Sequence, residues 1–334
     1  MRRAPAHGVD ASLRGHNRTV DAPSAVNATR AGLRACGGLG YDPCPDDCPA
    51  ALHVPHYSGP LLTHAVFEAT SRARRKGQGL LTASFDLGAS QAEARLENDH
   101  WELHGQRYPY PEKIRERSIH YFDGEGFANL SRFGQYGLIK LVPTDWGVPT
   151  FEIDGIKMLP SAKISPLEDA RTKVALVQPA GKVVLDTCGG MGYFARACLE
   201  AGVLRIHSTE RNEDVLWLRR HNPWSPDPDS AFAAGRLLLR HGDVTATISA
   251  VADASVDAVL HDPPRFGIAG ELYSLAFYQQ LARVIRPGGK LFHYTGSPNR
   301  LTSGRDVPAE VVKRLEQAGF RAEKALDGVF AVRR

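Results

Sequence analysis

The segment 183–192, Val-Val-Leu-Asp-Thr-Cys-Gly-Gly-Met-Gly, constrains this chain more than any other. An apolar strand that runs at once into glycines and then into helix-forming residues describes a strand–turn–helix unit. Glycines let the backbone turn sharply there and let a ligand approach it closely. The alternation continues on both sides. A helix over 167–177 precedes the unit, and helix 193–201, strand 205–210, helix 214–220 and strands 236–241 and 256–261 follow it. Leu272, Leu275, Leu281, Ala282 and Ile285 recur near a 3.6-residue period, which predicts a helix over 271–285. Pro287-Gly288-Gly289 is expected to end it before strand 290–294. Helix 308–318 stops at Gly319, and Asp327-Gly328 is expected to turn strand 321–326 back into strand 329–333. The fold class is therefore α/β, a seven-stranded, mostly parallel sheet with helices on both faces and a terminal antiparallel hairpin.

The rest of the chain has a different texture. Residues 59–160 predict a helix over 64–76 and strands over 80–87, 93–96, 100–103, 137–142 and 150–153, a small β-rich domain ahead of the α/β domain at 161–334. No catalytic motif stands out in it, so substrate positioning is its expected role. Residues 1–58 are expected to be a disordered or leader extension, whose first forty residues are Arg-rich and acid-poor as in an organellar transit segment; otherwise a cytoplasmic location is expected. Cys36, Cys44 and Cys48 cluster there, but their spacing matches no standard zinc knuckle, and an odd total of five cysteines argues against a secreted disulfide framework. No metal ligands are assigned. With 334 residues, 43% of them hydrophobic, and no apolar run long enough to cross a bilayer, a membrane partner is not expected. A net charge of +4 is compatible with nucleic acid without pointing to it.

Segment 183–192 resembles the first S-adenosylmethionine (SAM) motif of class I methyltransferases, acidic-x-Gly-x-Gly-x-Gly. Asp186 takes the acidic position, Gly190 and Gly192 the last two glycines, and Cys188 replaces the first. The resemblance implies a Rossmann-like fold, SAM as cofactor, and Asp186 serving its amino-acid end. Gly190, Gly192 and Ala195 also satisfy a dinucleotide pattern, so an NAD-type domain stays open on the loop alone. Glu210 closes the next strand, where a carboxylate accepts ribose hydroxyl protons in either case. Asp243, after the third strand, matches the family position that meets the adenine amino group.

Strand 256–261 leads into His261-Asp262-Pro263-Pro264-Arg265-Phe266. Asp-Pro-Pro resembles the Asp/Asn-Pro-Pro-aromatic loop of amino-group methyltransferases. Acceptor oxygens around Asp262 and Pro263 take the N–H bonds of a poorly nucleophilic amine, and the prolines fix those acceptors by locking φ. An aromatic ring then stacks the substrate in line with the methyl group. Here Arg265 stands in the aromatic position and Phe266 follows one residue late, so Phe266 is the stacking candidate and Arg265 a contact for phosphate or another anion.

Residues 261–273, Asn222-Pro223-Trp224-Ser225, 292–296 and 140–155 together resemble a predicted methyltransferase family best represented in archaea, over roughly 80–334. N-methylation is the implied activity. RNA, with a cytosine amine of ribosomal RNA foremost, is the leading expected substrate class. A small metabolite or polyamine, and a non-catalytic nucleotide-binding module, are the alternatives. Secondary candidates are Asn222–Ser225 beside adenine, one of His293 and Tyr294 at the substrate, the basic run Arg72, Arg74, Arg75 and Lys76 for phosphate, and Arg305-Asp306 as a lid or ion pair.

Overall fold

The computed structural model describes residues 56–296 and 306–334. The Cys36, Cys44 and Cys48 cluster, the leader as far as residue 55 and Arg305 lie outside these residues, whereas Tyr57, expected in the leader, is ordered and accepts the Phe122 amide at 2.8 Å.

The first part is antiparallel β-structure in three small sheets. β1 (Leu61–Thr63) leads into α1 (His64–Arg75). There follow β2 (Leu80–Ala83), β3 (Ala92–Leu96), β4 (His100–Leu103), β5 (Gln106–Pro109), β6 (Ile119–Phe122) and β7 (Phe127–Asn129). β8 (Ser131–Gly134), β9 (Gly137–Val142), β10 (Thr150–Ile153) and β11 (Ile156–Lys157) complete the set. β2 to β5 form a four-stranded meander, β1, β6 and β7 pair in the order β1-β6-β7, and β8 to β11 form a second meander. Sheets this small cannot each enclose a core. Trp101 accordingly gathers Phe85 and Tyr108 at 5.1 and 4.9 Å in one cluster, while Leu61, Ile119, Leu130, Leu141 and Phe151 join the core of the following α/β part. β1, β5 to β8 and β11 carry too short or too mixed a pattern for the sequence to announce them.

The α/β part begins with α2 (Pro166–Val177), where proline at the first helical position and Glu168 and Asp169 in the first turn favour initiation. β12 (Val183–Asp186), α3 (Tyr193–Glu200), β13 (Arg205–Glu210), α4 (Glu213–Arg220), β14 (Leu237–His241), α5 (Val244–Thr247) and β15 (Val256–His261) follow. α6 (Leu275–Val284), β16 (Ile285–Tyr294), α7 (Val307–Gln317), β17 (Phe320–Ala325) and β18 (Gly328–Arg333) close the chain. The strand order is β14-β13-β12-β15-β16-β18-β17, parallel through β16 and antiparallel at the last two, as the alternation predicted. Successive side chains of a strand face opposite sides. Val184, Ile206, Ala258 and Leu260 therefore pack on one face, and Leu185, Val259, Leu291 and Ala331 on the other.

Four details differ from the expected elements, the first being that the strand expected over 80–87 ends at Ala83. The helix over 271–285 is divided: Gly270–Tyr273 is a 3-10 turn, and Ser274 starts α6 by accepting the amide of Phe277 with its hydroxyl. Pro287-Gly288-Gly289 does not separate helix from strand but lies inside β16, where pairing jumps from Val256 with Ile285 to Ala258 with Lys290. A side chain at Gly289 would meet the carbonyl of Asp257 at 2.8 Å, so the bulge needs glycine. The terminal hairpin turns one residue earlier than expected. Ala325 pairs with Gly328, so Leu326, at φ 54°, and Asp327 form the turn. That shift aims Asp327 into the site described next.

Candidate active site

The carboxyl ends of β12, β13 and β15 meet in the middle of the sheet, where the strand order reverses and open α/β sheets bind ligands. Asp186, at the end of β12, is fully buried; its Oδ2 accepts from the Ser208 hydroxyl at 2.7 Å, and its Oδ1 has no partner among the described residues. Burial pushes this carboxyl up to about 6, opposed by the Ser208 bond and the Arg219 charge. Glu210, at the end of β13, ties the glycine turn to its strand by accepting the amides of Gly190 (2.8 Å) and Asn212 (2.7 Å). Gly190 has φ 48° and open space where a side chain would stand, whereas Gly192 has φ 78° and Arg219 against it. Cys188 is half-buried in the turn, its thiol pushed well up by burial, so it stays protonated and is no nucleophile.

A SAM-type group fits this donor and acceptor set. The orphaned buried oxygen of Asp186 suits a donor such as an ammonium, and the open surface at Gly190 lies beside the carboxylate of Glu210. Asp243 sits nearby but spends its oxygens locally. Oδ1 caps α5 through the amide and hydroxyl of Thr245, and Oδ2 pairs with Arg211 at 3.2 Å.

The second half of the site is acidic. Asp262, half-buried just beyond β15, takes no hydrogen bond or ion pair among the described residues. Burial pushes its carboxyl up to about 7, opposed chiefly by the charge of Lys173 and reinforced by Asp327, Asp169 and Asp186. Lys173, buried on α2, donates to Asp169 Oδ2 at 2.6 Å and to Asp327 Oδ2 at 3.0 Å, and its Nζ lies 4.5 Å from the centre of the Tyr294 ring. Asp327 Oδ1 is buried without a partner among the described residues. Five carboxylates, Asp169, Asp186, Glu210, Asp262 and Asp327, thus face two cations, Lys173 and Arg219. Sequence reasoning missed Lys173, Asp169, Asp327 and Arg219. α2 looks like an ordinary amphipathic helix, and its i, i+4 Asp169–Lys173 pair was the one available signal.

The loop after Asp262 is held from below. His261 is fully buried and its Nε2 donates to the Leu272 carbonyl at 3.1 Å, so Nδ1 accepts from the Thr187 hydroxyl at 2.6 Å. Burial pushes His261 down to about 4, hence it is neutral and structural. His293 is equally buried, donating from Nδ1 to the Tyr294 carbonyl and accepting the Tyr278 hydroxyl at Nε2, both at 2.8 Å. Of the pair His293 and Tyr294, Tyr294 is the one facing the acidic cluster. Pro263 is buried, while Pro264 is exposed and accepts the Tyr273 hydroxyl at 3.1 Å. Phe266 is 36% exposed, edge-on to Tyr273 at 5.4 Å, and Arg265 is exposed to solvent.

The remaining candidates lie elsewhere. Asn222 and Ser225 are buried and bond each other, the Tyr193 hydroxyl and the Met191 carbonyl, while Trp224 donates to the Leu87 carbonyl. They brace the glycine turn from behind. In the basic run, Arg74 stacks on Tyr110 at 3.6 Å and donates to the Asn98 carbonyl, away from the sheet's carboxyl edge. Asp306 caps α7 and pairs with Lys324 at 2.8 Å. Among the described residues no group of three His, Cys, Asp or Glu side chains is placed to hold a metal ion, and no helix is long and apolar enough to cross a membrane.

The sheet with its reversed terminal hairpin is the Rossmann-like SAM-binding architecture, and the sequence relatives make the chain a SAM-utilising enzyme of the methyltransferase and aminopropyltransferase superfamily. No family model matches the chain. It is 41% identical over 217 residues, 63% of this chain and 72% of the relative, to the uncharacterized protein MJ1233 of Methanocaldococcus jannaschii, and it belongs to that protein's family. Polyamine aminopropyltransferase 2 of Streptomyces coelicolor is 35% identical over 52% of this chain and 34% of its own length. A probable SAM-dependent methyltransferase of Mycolicibacterium smegmatis is 32% identical over 45% of this chain and 56% of its own length. The chain thus spans about a third to a half of those two relatives. Among solved structures, spermidine synthase from Thermotoga maritima superposes with a TM-score of 0.46 at 16% identity, covering 67% of this chain and 81% of that one.

Proposed function

We propose that the protein transfers an alkyl group from a SAM-type sulfonium to the nitrogen of a small cationic amine, with polyamines as the class the site suits best. One observation carries this reading: the carboxylates around Asp262 outnumber the cations that neutralise them. A small aliphatic amine is an ammonium at neutral pH and is attracted to such a site. RNA brings phosphates, which the same field repels. The similarity to a protein named as a polyamine aminopropyltransferase supports the small-amine reading over the ribosomal cytosine that the Asp-Pro-Pro loop first suggested.

The bound sulfonium supplies an electrophilic carbon and a neutral thioether as leaving group, so no acid is needed on the donor side. What this chain must supply is a nucleophilic amine, and therefore a base. Asp262, held near 7, takes a proton from the incoming ammonium and frees its lone pair. Asp327 Oδ1 accepts a second N–H and orients it. Pro263 fixes the backbone beside that base, and Phe266 and Tyr294 flank the acceptor. Asp186 and Glu210 would hold the donor, Asp186 at its ammonium and Glu210 at its ribose, with Gly190, Gly192 and Cys188 forming the turn beneath and Asp243 on the adenine side. Arg265 lies outside the pocket and is left with an anionic group at the entrance. Residues 59–160 form the region that positions the acceptor.

Two donors remain distinct within this reading. A methyl group comes from SAM itself. An aminopropyl group is the methionine chain without its carboxylate and comes from the decarboxylated form. Assay of the full chain with each donor and a panel of diamines, analysed by mass spectrometry, tests the proposal. A product with either group on an amine nitrogen supports it, and transfer restricted to RNA refutes it.

A further inference from the structure

Arg219, near the end of α4, is 1% exposed, and none of its three guanidinium nitrogens has a hydrogen-bond partner among the described residues. A buried charge without a partner is among the costliest groups a fold can carry. It lies directly under the cofactor turn. A Cβ at Gly192 would fall 2.6 Å from its Cζ and Nη2, and one at Gly189 would fall 3.1 Å from its Nη1. Gly190, by contrast, has nothing within 4 Å. The turn therefore uses its glycines for different purposes: Gly190 leaves room for a ligand, Gly192 leaves room for the arginine, and Gly189 leaves room first for the Ser208 hydroxyl and then for the arginine.

We propose that Arg219 is a positioning residue of the cofactor site, a buried cation that props the turn and keeps Asp186 and Glu210 ionised so that both accept donors from the ligand. This rests on the sulfonium-cofactor reading above. The field of Arg219 acts on these two carboxylates. Asp186 faces Arg219 from α4, Ser208 and Glu210 from β13, Cys188 from the turn, Cys198 from α3 and Asp262 from β15. Glu210 faces Arg219 and the amides of Gly190, Arg211 and Asn212. Burial raises both acids, and for Asp186 the rise to about 6 occurs with the cation in place. Arg219 itself is lowered only to about 10 and stays charged at neutral pH. Without it, two acids share one dry pocket and protonation moves into the neutral range. A protonated Asp186 no longer attracts an ammonium.

The test is the affinity of the full chain for S-adenosylhomocysteine, and for adenosine, between pH 5.5 and 9, in wild type, Arg219→Met and Arg219→Lys. Wild-type affinity for S-adenosylhomocysteine should be flat above pH 7 and weaken as pH falls through about 6. In Arg219→Met the midpoint should rise by about two units, which makes binding about tenfold weaker at pH 7 and restores it near pH 9. Arg219→Lys should return the midpoint toward wild type. Adenosine, lacking the ammonium, should respond less. An equal loss at every pH, or an unchanged midpoint, overturns the proposal in favour of plain packing. If Arg219→Met does not fold, the wild-type profile decides: no weakening through pH 6 overturns it. Wild type that binds neither ligand at any pH overturns the cofactor reading itself.

Discussion

Asp262→Asn should cut turnover sharply and stabilise the protein at the same time. The folded value of Asp262 is raised from 3.8 to about 7, so between those values the folded chain holds a proton that the unfolded chain releases. Stability is therefore lost as pH rises through this window, and above 7 the full penalty of a buried carboxylate is present. A shift of 7 less 3.8 units, at about 1.4 kcal/mol per unit, gives at most about 4 kcal/mol, and screening at a half-buried group reduces this to roughly 2–4 kcal/mol. Asparagine has nearly the same shape and never ionises. The variant should thus unfold several degrees higher than wild type at pH 8 and within about a degree of it at pH 4. Turnover should fall by about two to four orders of magnitude, the usual contribution of a general base. Thermal unfolding at both pH values, with amine-transfer assays on the same preparations, checks this. A variant less stable than wild type at pH 8, or equally displaced at both pH values, would show that Asp262 is not a strained carboxylate.

The neighbours of Asp262 should move its titration in opposite directions. The charge of Lys173 lowers it and that of Asp327 raises it, so Lys173→Met should shift the midpoint of the pH–activity profile to the alkaline side of 7 and Asp327→Asn to the acid side. Glu210→Ala removes the acceptor of the Gly190 and Asn212 amides, and calorimetry should find SAM binding weakened by about 1–3 kcal/mol. Gly192→Ala combines a φ of 78° with a collision at Arg219; urea unfolding should show a loss of about 1–3 kcal/mol, with cofactor affinity falling alongside.

The sheet was legible because its signals are local. Strand–glycine–helix at 183–201, the Asp-Pro-Pro strand end and the turn near Asp327 each report their structure within a dozen residues. The breaks in that reading have local causes too. Ser274 captures the Phe277 amide and divides a periodic helix, and Gly289 absorbs a bulge rather than a loop. The substrate half of the site was not legible. Lys173, Asp169 and Asp327 come from one helix and a distant hairpin, and only the folded sheet brings them to Asp262. Without them the loop at 261–266 suggests a base amine; with them the small-amine proposal becomes possible. Arg219 was hidden for the same reason, since a single arginine at the end of a short helix carries no signal until the glycine turn is folded over it.

The central claim is that a small cationic amine accepts an alkyl group beside Asp262. The most direct measurement is a competition in one vessel. The full chain, SAM and its decarboxylated form are mixed with 1,4-diaminobutane, spermidine and total RNA, and every acceptor is then analysed by mass spectrometry. A methyl or aminopropyl group is expected on an amine nitrogen of a polyamine, with far less formed by Asp262→Asn. Modification confined to RNA, or equal transfer by the variant, would contradict it.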